Sequence, residues 1–204
     1  MPVSQSERAA LADLLERLGP DQPTCCAGWA TQDIAAHLVV RDRRPDAMPG
    51  YALGGPFTRW TDRVHARTRS RVSFGQLVDG VRSGPPSWVP TAWPAVDRLV
   101  NTAEFVIHHE DVRRAQPGWA PRDLPRPVQD QLWRTVPFLA RRRSSSGPPD
   151  GLLLRRSDVP DGSAGSERRL RDGEPTTTVV GAPLELLLWV SGRPDIACVD
   201  LTVD

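Results

Sequence analysis

The hydrophobic pattern of the chain changes character at the segment Ser144-Ser145-Ser146-Gly147-Pro148-Pro149, and this change most constrains the fold. Before the segment, apolar residues recur at the three- and four-residue spacing of amphipathic helices. After it come short apolar and β-branched runs, residues 151–154 and 176–180, which are typical of strands. A chain of 204 residues has room for a helical domain and a smaller second one. We therefore predict an α+β protein with a helical bundle in residues 1–147 and a small α/β domain in residues 148–204.

Helix start and stop signals divide the first part further. Ser4-Gln5-Ser6-Glu7 has the pattern of a capping box, and Ser73 falls where a long helical pattern is expected to break. The predicted helices span approximately residues 4–18, 31–43, 58–82, 96–115 and 128–143. In the second part we predict strands at 151–154, 176–180 and 196–203, a helix at 183–191 and a turn-rich stretch at 161–173.

The bulk composition excludes several classes of function. All 26 basic residues are arginine, and the net charge of +1 provides no general field for nucleic acid. Three cysteines, two of them adjacent, do not form a disulfide framework. The apolar stretches fall short of the roughly 20 residues that cross a bilayer, and the first residues lack an apolar signal region. We expect a cytoplasmic protein that binds neither nucleic acid nor membranes.

The chemistry of the chain is concentrated in residues 101–111, where Glu104 and His108 stand four positions apart in an apolar, helix-length segment. Positions i and i+4 are neighbours on a helix surface, so both side chains can hold one divalent ion. His37, in the apolar segment 33–40, offers a third ligand. Two imidazoles and one carboxylate are the ligand count of a catalytic zinc site with an open position. The competing interpretation is a simple Glu104–His108 hydrogen bond, with His37 as a core residue.

A helical projection distinguishes the two adjacent histidines. His108 shares the face of Glu104, whereas His109 is turned by about 100°. On the same polar stripe, Asn101 and Asp111 are candidates to orient the ligands by hydrogen bonds. Thr102, His109 and Arg113 are expected to point toward solvent.

The segment Gly28-Trp29-Ala30-Thr31-Gln32-Asp33-Ile34-Ala35-Ala36-His37-Leu38 and the later Glu104-Phe105-Val106-Ile107-His108 resemble two signatures of one family. This is the actinobacterial, mycothiol-dependent maleylpyruvate isomerase family of the DinB-like metalloprotein superfamily. Residues 41–47, 83–86 and 108–115 resemble more narrowly a subfamily of mostly unassigned function. The resemblance implies a DinB-like four-helix bundle whose metal ligands are His37, Glu104 and His108. It also implies a sterol-carrier-like C-terminal domain, on the basis of residues 180–188 and 192–193.

The resemblance further implies an enzyme that uses the low-molecular-weight thiol mycothiol with a divalent metal such as zinc. Its reaction would be transfer to, or isomerisation of, a small electrophilic substrate bearing a carboxylate. Arg41, one helical turn after His37, is the candidate to bind that carboxylate. Arg44 is a weaker candidate, and Cys25 and Cys26 are expected to be structural. Two alternatives remain open: a hydrolase with a metal-activated water, and a non-catalytic metal-binding or ligand-carrier protein.

Overall fold

The computed structural model of the protein describes residues 2–89, 92–143 and 150–204, and it divides the chain into two compact units. The first unit ends at Trp119 and the second begins at Ala120. The boundary predicted at residues 147 and 148 lies outside the described residues. The last long helix, Arg126–Arg143, belongs to the second unit, where it packs against the helix Pro183–Val190.

The first unit is helical. Its α-helices are α1 (Val3–Leu18), α2 (Thr31–Arg43), α3 (Met48–Leu53), α4 (Thr58–Arg71), α5 (Phe74–Ser83), α6 (Pro94–Val96) and α7 (Thr102–Arg113). The core consists of apolar side chains from α1, α2, α5 and α7, among them Leu11, Ile34, Leu77 and Phe105, all fully buried. A π-helical segment, Asp97–Asn101, joins α6 to α7.

The predicted break at Ser73 is confirmed. The Ser73 hydroxyl accepts a hydrogen bond from the Gln76 backbone N–H, and the Gln76 side chain accepts one from the Ser73 N–H at 3.1 Å. This reciprocal pair is a capping box, which starts α5 as a separate helix. The preceding helix, α4, packs instead against the end of α2, where Val64 meets Val40 and Ala47.

The capping box predicted at residues 4–7 is absent. Helix α1 already begins at Val3, and both Ser4 and Glu7 are buried in its first turns. The Ser4 hydroxyl donates to Asp97 Oδ2 at 2.5 Å, and Glu7 Oε2 pairs with His109 Nδ1 at 2.8 Å. The two side chains predicted to cap α1 therefore bind distant partners instead: Ser4 binds the π-helical segment and Glu7 binds α7.

Helix α7 is buried on almost every side. The expectation that Thr102 and His109 face solvent is wrong, because α1 packs along that side of α7 and leaves them 0% and 7% exposed. Arg113 is partly exposed and binds Glu110 at 3.2 Å. A helix with polar residues on all sides gives a weak projection, so periodicity alone could not identify its outer face.

The second unit is a mixed sheet with two helices. The elements are α8 (Arg126–Arg143), β1 (Gly151–Arg156), β2 (Glu167–Arg171), β3 (Thr176–Gly181), α9 (Pro183–Val190) and β4 (Asp200–Val203). Strand β1 lies between β2, its antiparallel neighbour, and β3, which runs parallel to it; β4 pairs antiparallel with β3. Helix α9 packs against α8, and its four leucines are fully buried.

The predicted α+β class is confirmed, with two differences in the second unit. Strand β2 lies within the stretch predicted as turns, because its arginine-rich sequence carries no apolar alternation. Such charged residues are typical of edge strands. The last strand starts at Asp200, later than predicted. None of the described helices combines the length and apolar character that crossing a bilayer requires.

Candidate metal centre

Helices α2 and α7 bring three potential metal ligands together, although His37 and Glu104 lie 67 residues apart in sequence. His37 Nε2 lies 2.8 Å from Glu104 Oε1, and His108 Nε2 lies 3.4 Å from the same oxygen. The ring centroids of the two histidines are 4.9 Å apart. All three ligand atoms lie within 4.8 Å of one another. The structure thus brings together the three side chains singled out in the sequence.

The spacing of these atoms suits a small divalent cation. Metal–ligand distances of about 2.0–2.2 Å in a tetrahedral zinc site place ligand atoms roughly 3.3 Å apart. The His108–Glu104 separation already matches this value. The His37–Glu104 separation is that of a hydrogen bond and needs to widen by only about half an ångström. Two of the three separations are therefore close to those around a zinc-type ion, and all three lie within 4.8 Å, so these residues could hold such an ion.

The site is enclosed on the histidine side and open on the glutamate side. The side chains of His37 and His108 are 11% and 9% exposed, whereas that of Glu104 is 26% exposed. A catalytic zinc site keeps one coordination position open, and here solvent reaches the three side chains from the side of Glu104.

Burial and neighbouring charges set the protonation of the trio. Burial, helped by the nearby His108, lowers the pKa of His37, so this ring is neutral at pH 7 and can offer a lone pair. Burial alone would raise the pKa of Glu104, but the charge of Arg41 and hydrogen bonds to both imidazoles hold it well below its usual range. Glu104 is therefore a carboxylate.

His108 behaves differently from His37. Burial works against its charged form, but hydrogen bonds to Asp111, Cys26 and Glu104 outweigh burial and raise the pKa of His108 well above its usual value. A cation that binds through this ring must displace a proton.

Asp111, predicted to orient a ligand, contacts His108 directly. Its fully buried Oδ2 accepts a hydrogen bond from His108 Nδ1 at 3.0 Å, which leaves Nε2 facing Glu104. Such a carboxylate–histidine pair fixes the ring and its tautomer for metal binding.

Cys26, for which the sequence predicted only a structural role, contacts the side chain that orients His108. Its Sγ donates to Asp111 Oδ2 at 3.2 Å, and the Cys25 backbone N–H donates to the Asp111 carbonyl at 2.8 Å. Cys26, His108 and Asp111 form a second group whose potential ligand atoms all lie within 4.8 Å of one another, on the Nδ1 side of His108. Adjacent cysteines have no metal-ligand spacing of their own, so only the folded loop reveals this group.

Arg41 lies beside Glu104, and Asn101 lies beside Arg41. Arg41 Nε is 3.7 Å from Glu104 Oε1, and Arg41 Nη2 donates to Asn101 Oδ1 at 2.7 Å. Arg44, the weaker candidate, instead forms a surface pair with Asp46 at 2.8 Å. Of the two arginines, Arg41 is the one that reaches a candidate ligand, Glu104.

Trp29 covers the other side of His37. Its ring lies 5.3 Å from the His37 ring and stacks on His65 at 5.2 Å. His65 in turn contacts the Asp33 carbonyl at 3.1 Å. His65 was not among the residues that the sequence analysis singled out.

Comparison with solved structures supports the fold. The chain superimposes on the crystal structure of the mycothiol-dependent maleylpyruvate isomerase with a TM-score of 0.62 and 15% sequence identity, covering 98% of this chain and 88% of that one. A histidine-to-alanine mutant of that isomerase gives a TM-score of 0.61 at the same identity and coverage. The sequence matches no protein-family model and no curated protein. The predicted resemblance is confirmed at the level of the fold.

Proposed function

We propose that this protein is a metal-dependent enzyme in which His37, Glu104 and His108 hold a divalent cation, with zinc as the first candidate. Its cosubstrate is a low-molecular-weight thiol, mycothiol, and its reaction is transfer to, or isomerisation of, a small electrophilic substrate that carries a carboxylate. The thiol and the reaction class follow from the resemblance in sequence and from the isomerase fold.

One observation carries the metal part of the proposal. Two imidazole nitrogens from different helices face a single carboxylate oxygen, and these three atoms lie within 4.8 Å of one another. The glutamate that carries the oxygen is partly exposed. A buried cluster of this kind is costly unless its members share a partner, and a cation satisfies all three at once. A bound zinc ion lowers the pKa of a coordinated thiol or water so that it is nucleophilic near pH 7.

The chain's own residues have separate tasks in this proposal. His37, Glu104 and His108 bind the cation, and Asp111 holds the proton on Nδ1 of His108 so that Nε2 stays available. Trp29 restricts access of water from the His37 side. The partly exposed side of Glu104 is where a thiol or substrate approaches.

Metal content and thiol binding test the proposal together. Elemental analysis of freshly purified protein is expected to give one divalent ion per chain, and calorimetry to detect mycothiol binding only when the ion is present. Both signals are expected to disappear in His37→Ala. The matched control is His65→Ala, a second partly buried histidine on the other side of Trp29, which is expected to keep the ion.

The same experiment separates the alternatives. Hydrolysis of ester or amide probes without any thiol, lost in His37→Ala, would replace the thiol-dependent reaction by a metal-activated water. An ion that chelators remove only when the protein unfolds, with no thiol binding, would indicate a non-catalytic metal protein. A wild-type protein that takes up no divalent ion would end the metal proposal itself.

A further inference from the structure

Arg41 follows His37 by one turn of α2, and its guanidinium is almost completely enclosed. Its side chain is 5% exposed. Nη1 donates to Asp42 Oδ1 at 2.8 Å, Nη2 donates to Asn101 Oδ1 at 2.7 Å, and Nε faces Glu104 Oε1 at 3.7 Å. All three nitrogens of the guanidinium therefore face groups of the protein.

The partners of Arg41 are themselves fixed. Asn101 ends the π-helical segment, in which the Thr102 N–H bonds to the Asp97 carbonyl five residues back. The Asn101 side-chain amide donates to Asp97 Oδ1 at 2.9 Å, and the other Asp97 oxygen accepts the Ser4 hydroxyl. Arg41 is thus connected through hydrogen bonds to α1 and to the helical turn that leads into Glu104. π-helical turns occur frequently at functional sites, where they place side chains that a regular helix would not.

A substrate carboxylate binds an arginine best through two parallel N–H groups of the guanidinium fork. In Arg41 both Nη groups already make charge-assisted or buried hydrogen bonds, so a substrate would have to break them inside the protein. The Nε edge, in contrast, faces the oxygen of Glu104 that both imidazoles share. This geometry favours an internal role over substrate binding.

We propose that Arg41 is a positioning residue: it holds the Glu104 carboxylate toward the imidazoles of His37 and His108, and Asp42 and Asn101 hold Arg41 in turn. This inference rests on the proposed function, because it concerns the ligands of the cation. It replaces the role of substrate anchor that the sequence indicated for Arg41. A lysine cannot reproduce the arrangement, since its single ammonium group cannot face three partners in one plane.

Zinc affinity, measured by competition with a chromophoric chelator, tests the inference without any knowledge of the substrate. Arg41→Met is expected to weaken zinc binding about tenfold to a hundredfold, as for other groups that orient metal ligands. Arg41→Lys and Asn101→Ala are expected to weaken it less. Because Asn101 acts through Arg41, the double variant Arg41→Met/Asn101→Ala should bind no more weakly than Arg41→Met alone.

The matched control is Arg44→Met, which removes an arginine from the end of the same helix but leaves the ligands untouched. Its zinc affinity is expected to stay within about twofold of wild type. Cobalt(II) provides a readout that general destabilisation would not move, because its d–d absorption reports ligand geometry. We expect an altered cobalt spectrum in Arg41→Met and an unchanged one in Arg44→Met.

Wild-type zinc affinity and an unchanged cobalt spectrum in a folded Arg41→Met protein would overturn the inference, with His37→Ala showing that the metal site itself is real. If Arg41→Met does not fold, wild-type affinity in both Arg41→Lys and Asn101→Ala overturns it equally. A wild-type protein without zinc or cobalt binding overturns the proposed function and this inference together. A specific loss in the Arg41 and Asn101 variants supports both.

Discussion

The Nδ1 atom of His108 donates to the fully buried Oδ2 of Asp111, and this bond decides which nitrogen of His108 faces Glu104. The two residues lie three positions apart on α7, so the helix itself sets their distance. The same oxygen also accepts the thiol of Cys26, which joins the loop before α2 to the ligand helix. The orientation of one proposed metal ligand thus depends on a carboxylate that solvent does not reach.

Removal of the Asp111 carboxylate is therefore expected to weaken metal binding. In Asp111→Ala the His108 ring loses the acceptor that fixes its tautomer, and we expect zinc affinity to fall about tenfold to a hundredfold. Asp111→Asn keeps an acceptor oxygen but loses the negative charge, so its zinc affinity should lie between those of wild type and Asp111→Ala. Chelator competition measures both, with the exposed Asp46→Asn as control. Wild-type affinity in Asp111→Ala would contradict this role of the carboxylate.

Cobalt substitution decides between the two groups of potential ligands that share His108. We expect the ion at His37, Glu104 and His108, because two imidazoles and one carboxylate are the ligand set of a catalytic zinc site. In the other group, Asp111 Oδ2 already pairs with both of its neighbours, His108 Nδ1 and Cys26 Sγ. The cobalt protein should then lack the near-ultraviolet charge-transfer absorption of a thiolate ligand. Its spectrum should be unchanged in Cys26→Ser, with the remote Cys198→Ser as control. A thiolate band that Cys26→Ser abolishes would place the ion on the Cys26 side.

Metal binding is expected to stabilise the fold of the first unit, since its ligands come from two helices. At a zinc concentration a hundred times the dissociation constant, linkage raises the free energy of unfolding by about 2.7 kcal/mol. Thermal unfolding with and without chelator measures this difference. We expect it to vanish in His37→Ala, and its persistence there would show that zinc binds elsewhere.

The sequence predicted most of the bundle and the Glu104–His108 pair, because both depend on spacing along single helices. His37 lies on another helix, and only its apolar segment and the family resemblance indicated it as a third potential ligand. Helix ends with strong signals, such as Ser73 with Gln76, appeared where expected. The predictions that were wrong concern features decided by distant parts of the chain. Glu7 binds His109 instead of capping α1. Strand β2 forms by pairing with β1 at the sheet edge, although its sequence has no apolar alternation. Cys26 and His65 reach the site only through the folding of loops and helices around α2 and α7.

The buried pair of His109 and Glu7 should matter for stability and not for metal binding. The two side chains are 8% and 9% exposed and join α7 to α1 at 2.8 Å. His109→Ala leaves a buried carboxylate without this partner, so we expect the free energy of unfolding to fall by about 3 kcal/mol. Denaturant unfolding measures this loss. Zinc stoichiometry should remain at one per chain, in contrast to His108→Ala, and loss of the ion in His109→Ala would show that the adjacent histidine had been wrongly excluded as a ligand.

Asp42 should make stability depend on pH in the direction opposite to most carboxylates. Burial raises the pKa of Asp42 to about 6; the charge of Arg41 works against this rise and that of Glu104 adds to it. The folded protein therefore binds the Asp42 proton more tightly than the unfolded chain, whose pKa is near 3.8. Stability from this group is complete below about pH 4 and is lost as pH rises to about 6. The loss amounts to about 3 kcal/mol.

Comparison with Asp42→Asn isolates this contribution, because other carboxylates titrate in both proteins while the amide at position 42 does not. The asparagine still offers Arg41 an acceptor oxygen. Arg41 loses a charged partner, and this loss shifts the stability of the variant by an amount that changes little with pH. We expect the free energy of unfolding of Asp42→Asn, relative to wild type, to rise by about 2.4 kcal/mol between pH 4 and pH 7. Urea unfolding in the presence of chelator at several pH values measures the difference without interference from bound metal. A difference that stays constant across this range would mean that Asp42 is ionised in the fold as easily as in water, and that Arg41 fully compensates its burial.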